Sequence, residues 1–406
     1  MDQSRRDGFV PPPGDRVPGS ERSLRDGDWI GLDGPLAASG DGPVRQSVEV
    51  VRHYKCRLVI GCGVLDDWAG EMEAPLANAA AAWVVADRTA WEYYGHRFLA
   101  APRAADLVRG VLTLDVAKGT KSVATWEQVI EWLSGHRVGR RDVVIPFGGA
   151  TLSDVVGLAA ATYMRGIAYL NVATTLVAQA DGAIGGKVAI DTPRARNLVG
   201  SFYHPVGILS DPTVLVTLPQ REIACGLAEA IKTVTVHSEE VFAFLEPRIR
   251  GCLCADAGTL DTVVRLCASI KMQLLRPDPF EQDLRRVLNF GHTLAHPIET
   301  VFGYDAVRHG EAVAVGMATA TRIGVIRGLT SRRAADRLTA AILQAGLPIG
   351  VSKTAVPEIL EQLDVVRSIR AGSLRYVIPC DIGRMAILDD VSLEEIATAL
   401  PATPGL

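Results

Sequence analysis

The sequence predicts an α/β chain, a doubly wound parallel sheet in its first half followed by a mainly helical second half. Between about Ser47 and Thr217, short continuous apolar runs, as in strands buried on both faces, alternate with helix-length segments. After Pro219 the hydrophobic residues instead recur at spacings of three and four. A glycine pair at a strand-to-helix turn, Gly148-Gly149, adds a candidate phosphate-binding loop, although a plain tight turn would read the same way.

At 406 residues the chain is long for one core and comfortable for two domains. A net charge of −4 leaves no basic field for nucleic acid or an anionic membrane, so small substrates are expected. The seven cysteines are scattered and include no CxxC, which points to a reducing cytoplasm and against a disulfide framework or a cysteine zinc site. No apolar run reaches the length of a membrane span, and the first residues lack the apolar segment of a secretory signal.

Residues 1–47, rich in Gly, Pro, Asp, Arg and Ser, bury too little apolar surface to offset ordering entropy and are expected to form a mostly disordered extension. Val48–Val51 and Cys56–Ile60 read as strands, and Ala81–Val85 as a buried strand running to Asp87. A helix over about 123–134 precedes Asp142–Phe147 and the glycine pair, after which an apolar helix is expected from Val155 to Tyr163. Thr217-Leu218-Pro219 is expected to end the last strand, dividing the chain into domains over 48–215 and 216–406. Beyond that junction helices are expected over 220–236, 238–246, 258–275, 286–300, 309–327, 331–345, 355–363 and 392–400. Leu374–Pro379 and Arg384–Leu388 suggest a small terminal hairpin.

The helical half holds the strongest chemical pattern. His292 and His296, four apart, stack on one face of a helix, and His309 follows 17 residues after His292 beside a glycine, where the next helix should start. Each alone reads first as a capping or core histidine; their clustering shifts the reading to a metal or an anion. The zinc-protease HExxH is absent, since Thr293 stands where its glutamate belongs, so an oxygen ligand must come from elsewhere. Glu229 is the expected source, three residues before Lys232 on an apolar helical stretch, because two histidines, a carboxylate and an open position make a catalytic zinc environment.

Together GLAEAIK (226–232), LRRVLNFGHTLAHPIE (284–299) and HGEAVAVGM (309–317) resemble the sugar-phosphate cyclases of the 3-dehydroquinate synthase family, over roughly residues 50 to 400. The resemblance implies a Rossmann-like NAD-binding domain followed by an α-helical metal-binding domain, with zinc or cobalt held by Glu229, His292 and His309. For NAD it implies Gly148, Gly149 and Asp154 at the pyrophosphate turn, Asp87 at the adenosine ribose, and Lys121, Thr174, Thr175 and Arg196 as further contacts. The chain departs from the family at Ala150 and Ser153, where glycines are usual, at Lys118, where a glutamate is usual, and at Ala173, where a proline is usual.

For the substrate the resemblance implies a hydroxyl contact from Asp181 and phosphate contacts from Lys187 and Asn197. Lys232 would help to orient hydroxyls. Arg165 would reach the phosphate in the neighbouring subunit's site, which implies a homodimer. Arg285, Asn289, His292 and His296 are spaced 4, 3 and 4 and are expected to trace one face. Lys271 and Arg285 match carboxylate-binding positions, and Asn289 and His296 match further substrate contacts. Arg367, in Val366-Arg367-Ser368, stands where the family has a phosphate-touching lysine, and Arg196 where another lysine is usual; the two side chains differ in geometry.

The implied reaction is oxidation by NAD, phosphate elimination, reduction and intramolecular aldol closure, with NAD returned unchanged. Retained Lys271 and Arg285 favour 3-deoxy-arabino-heptulosonate 7-phosphate or its amino analogue. The altered 366–368 segment and the Arg-Tyr-Val-Ile-Pro ending lean instead toward an uncarboxylated sugar phosphate, sedoheptulose 7-phosphate giving an epi-valiolone or glucose 6-phosphate giving 2-deoxy-scyllo-inosose. Such drift is expected of a cyclase in a secondary pathway. A metal-dependent alcohol dehydrogenase shares the two-domain plan, but would not explain Lys187, Asn197 and Arg285 together. A non-catalytic descendant is disfavoured by intact Glu229, His292 and His309.

Overall fold

The computed structural model describes residues 55–116, 120–192, 195–281, 287–303, 306–369 and 374–400. The expected N-terminal extension, the expected strand Val48–Val51, Lys118 and Arg285 lie outside them.

Six strands form one parallel sheet: β1 (Arg57–Ile60), β2 (Ala82–Asp87), β3 (Val108–Leu114), β4 (Val143–Gly148), β5 (Ala168–Ala173) and β8 (Gly207–Ser210), in the order β1-β8-β5-β4-β2-β3. Each residue of β4 is buried, because helices cover both faces and the apolar run Val143–Phe147 supplies both. Alternation sorts the side chains: Val143, Ile145 and Phe147 face one core, and Val144 faces the other beneath α2 (Val123–Gly135) and α3 (Ala150–Thr162). The first core runs on without a break into the helical half through Ile223, Leu227 and Ile231.

Helix α1 (Arg88–Ala100) follows β2; it, β3 and β5 are elements beyond those the sequence pattern predicts. In β3 the Arg109-Gly110 pair interrupts the apolar run, as an edge strand permits. Helix α3 starts at Ala150, earlier than the expected Val155, with Gly149 in the N-cap position. The small residues after Gly149 let this turn pack closely, since a Cβ on Gly182 would sit 2.5 Å from that of Ala150.

The last sheet strand ends at Ser210, not at Thr217-Leu218-Pro219. Pro212 cannot donate to a ladder, and Asp211 accepts a hydrogen bond from the Thr213 N–H at 2.9 Å, so Pro212–Thr217 winds into a 3-10 turn. The polar stretch after Gly186 forms an antiparallel hairpin, β6 (Lys187–Thr192) with β7 (Ala195–Phe202). The terminal hairpin is also antiparallel, β9 (Tyr376–Asp381) with β10 (Arg384–Leu388).

The second half contains α4 (Gln220–His237), α5 (Ala257–Leu275), α6 (His292–Phe302), α7 (His309–Ile326), α8 (Arg332–Gln344), α9 (Val356–Ile369) and α10 (Leu393–Ala399). The expected helix over 286–300 is two pieces. Val287–Asn289 is a 3-10 turn, and Gly291 at φ 81° breaks the path before α6 starts at His292. Asn289 therefore does not share a continuous helical face with His292 and His296.

Candidate active site and metal centre

Helix α4 is buried from Ile223 to Val236, so its polar residues Glu229 and Lys232 are carried into the core and must find partners there. The helices that bring histidines to Glu229 close together through glycines of α7. A Cβ on Gly310 would lie 2.4 Å from backbone atoms of Cys225 on α4, and one on Gly316 would lie 1.9 Å from the Gly291 carbonyl oxygen. Only hydrogen at these two positions lets α7 close on α4 and on the entry to α6, and both approaching helices begin with a histidine.

Glu229, His292 and His309 consequently converge, one ligand atom from each lying within 4.8 Å of the others. His309 Nε2 is 3.0 Å and His292 Nε2 is 3.7 Å from Glu229 Oε1. Glu229 is 1% exposed, and among the described residues neither carboxylate oxygen has a hydrogen-bond partner, although Lys232 Nζ lies 2.5 Å from Oε2. A buried carboxylate oxygen that faces two imidazole nitrogens is a donor set that a cation would satisfy.

The far sides of both rings are held. His309 Nδ1 is 3.2 Å from Glu299 Oε1, and His292 Nδ1 is 3.3 Å from the Phe290 carbonyl oxygen. Burial and Lys232 hold the His292 imidazole well below its ordinary range. Burial would lower His309 too, but Glu299 and Glu229 outweigh it and lift the ring to about 10. His296 stands edge-on to His292, ring centres 6.0 Å apart, and half-buried Asn289 precedes the same turn.

Next to the triad lies a chain of charges. Asp181, from the π-turn Ala178–Gly182, places Oδ2 2.5 Å from Lys232 Nζ and pairs through Oδ1 with Lys271, whose ammonium also donates to the Asp181 carbonyl at 2.6 Å. Burial would raise the Asp181 carboxyl, but the two ammoniums hold it well below the usual carboxylate range. Burial likewise opposes the Lys232 charge, and Asp181 and Glu229 overcome it to push that ammonium above its ordinary value.

The residues expected at a dinucleotide lie at the carboxyl ends of β2, β4 and β5, where doubly wound sheets bind ligands. Asp87 accepts a hydrogen bond from the Ala90 N–H at 2.9 Å. Gly148 accepts from the Thr174 N–H at 3.0 Å, and a Cβ on Gly149 would stand 3.0 Å from Thr175. Lys121 pairs with Asp154, whose carboxyl is raised by burial against the pull of Lys121, and the crevice meets the Asp181 turn where Gly182 faces Ala150.

On the hairpin, Arg196 pairs with Asp191 at 3.1 Å, and the Asn197 N–H donates to the same carboxylate at 2.9 Å. Lys187 pairs with Glu281 at 2.5 Å. Glu281 and Glu299 were not singled out in the sequence. The first carried no pattern; the second could have been found seven residues after His292 and three after His296 on the same helix. Arg165 is exposed at φ 65°, and Arg367, exposed on α9, pairs with Asp364 at 2.5 Å; neither joins the cluster among the described residues.

Profiles described as 3-dehydroquinate synthase N-terminal and 3-dehydroquinate synthase C-terminal match residues 111–225 and 226–365. The chain belongs to the 3-dehydroquinate synthase family. Within the family it is 43% identical to a 2-epi-valiolone synthase of Actinosynnema mirum, over 72% of this chain and 77% of that one. It is 36% identical to a 3-dehydroquinate synthase of Pelotomaculum thermopropionicum, over 85% of this chain and 93% of that one. A solved 2-epi-5-epi-valiolone synthase from Streptomyces hygroscopicus subsp. jinggangensis, with NAD+ and Zn2+ bound, superposes with a TM-score of 0.79 at 27% identity, covering 88% of this chain and 98% of that one.

Proposed function

We propose that this chain is an NAD- and zinc-dependent cyclase that eliminates phosphate from a seven-carbon sugar phosphate and closes the ring. The observation that carries the reading is the Glu229, His292 and His309 triad beside the Lys232–Asp181–Lys271 chain, with the residues expected at NAD along the adjoining strand ends. A metal held there would lower the pKa of a substrate hydroxyl, NAD would accept hydride from the carbon that bears it, and cobalt would suit the same ligands. Lys232 and Asp181 orient the hydroxyls from a buried, pre-paired position. Lys187 and Asn197 take the phosphate, and exposed Arg165 reaches the site of a second copy in a cytoplasmic homodimer.

Sedoheptulose 7-phosphate is the substrate we favour. Lys271 supports this, because its charge is already balanced by the Asp181 carboxylate, so no substrate carboxylate is needed to neutralise it. So does the higher identity to a 2-epi-valiolone synthase than to 3-dehydroquinate synthases. The second reading, 3-deoxy-arabino-heptulosonate 7-phosphate, rests on Asn289 and His296 standing beside the triad. Phosphate release from zinc-loaded, NAD-supplied protein offered both sugars in parallel separates them: release from sedoheptulose 7-phosphate alone is expected. Release from the heptulosonate alone would overturn the choice, and release from neither would overturn the cyclase assignment on these sugars. The choice also fits a secondary pathway.

A further inference from the structure

Glu299 is 3% exposed, lies on α6, and contributes nothing to the triad itself. Its Oε1 is 3.2 Å from Nδ1 of His309, the ring nitrogen opposite the one that faces Glu229. A metal-ligating imidazole has shed its Nε2 proton, so one that donates from Nδ1 presents the lone pair of Nε2, and a carboxylate acceptor makes that lone pair more basic than a neutral acceptor would. The two triad histidines differ here, because His292 has the carbonyl oxygen of Phe290 behind it.

We infer that Glu299 is a positioning residue for the metal, acting through His309: it holds the tautomer that leaves Nε2 free and sets the ring's direction toward Glu229. His309 starts α7 and Glu299 sits in α6, so the pair also ties the two helices whose first residues are the triad histidines. The inference rests on the triad being the metal centre, and the experiment keeps the two apart.

The full chain is stripped with a chelator and titrated with Zn2+ against a chromophoric competitor, then loaded with Co2+ for its visible absorption. Wild type, Glu299→Gln, Glu299→Asp and His309→Ala are compared. Removing the support of a metal-ligating histidine weakens metal binding by about 10–100-fold, which is the loss expected for Glu299→Gln, together with a shifted cobalt band. Glu299→Asp, which keeps the charge, should recover part of the affinity and the wild-type band; it also stands in if Glu299→Gln does not fold, with a smaller loss expected. Unchanged zinc affinity and an unchanged cobalt spectrum in Glu299→Gln would overturn the inference while leaving the metal centre intact. Wild-type zinc affinity in His309→Ala would instead overturn the triad, and the inference with it.

Discussion

Lys232 Nζ lies 2.5 Å from Asp181 Oδ2, although the two residues are 51 positions apart and belong to different halves of the chain. Their pairing turns a buried helix that should reject charge into one that carries it. With only 3% of its side chain exposed, Lys232 has no solvent to fall back on.

Asp181→Ala should therefore leave the buried Lys271 ammonium without a carboxylate and Lys232 with Glu229 alone, and cost about 3–5 kcal/mol of stability, as breaking a buried pair does. Calorimetric or denaturant unfolding of the two proteins checks this. An unchanged midpoint would mean that Lys232 and Lys271 are not held by Asp181.

Zinc should raise the thermal midpoint of the chelator-treated protein, since a ligand at about 100 times its dissociation constant stabilises by about 2.7 kcal/mol. His309→Ala should lose that response while NAD still binds. Equal zinc-induced shifts in both proteins would place the metal elsewhere.

Gly316→Ala drives a Cβ against the Gly291 carbonyl oxygen at 1.9 Å, in backbone that cannot rotate away. Overpacking of this kind costs about 1–3 kcal/mol, and it displaces the turn that carries His292. Gly135→Ala, at the end of α2 with nothing within 4 Å, is the control and should be neutral or slightly stabilising. Unfolding midpoints and zinc content should fall only in the first.

Arg327, just past α7, holds Glu395 of α10, and that hydrogen bond together with the backbone N–H of Ser392 lowers the Glu395 carboxyl to about 2. Its folded value lies below its unfolded one, so the stabilisation is complete above about 4.3 and is lost as the pH falls through about 2. The pair is partly exposed and salt-screened, so the effect is small. Glu395→Gln should flatten this part of the acid limb of an unfolding-against-pH curve; a curve that matches wild type between those values would remove the pair from the stability account.

What the amino-acid order determined was local. Apolar runs specified β2 and β4, three-and-four spacing specified the long helices, and the spacing of Glu229, His292 and His309 within recognisable helical segments pointed to a metal. These depend on backbone geometry within a few turns, which a linear pattern records. Local misreadings arose where one residue overrode a pattern: Gly291 split the helix expected over 286–300, and Asp211 with Pro212 ended β8 early.

Tertiary structure decided everything that joins distant segments. Lys271 is committed to Asp181 across 90 positions, Glu281 pairs with Lys187, and Glu299 supports His309. Gly310 and Gly316 are required only because other backbone passes within contact of them. Such pairings depend on which buried polar groups the packing leaves to satisfy one another, and that choice is made when the helices close on the sheet, not along the chain.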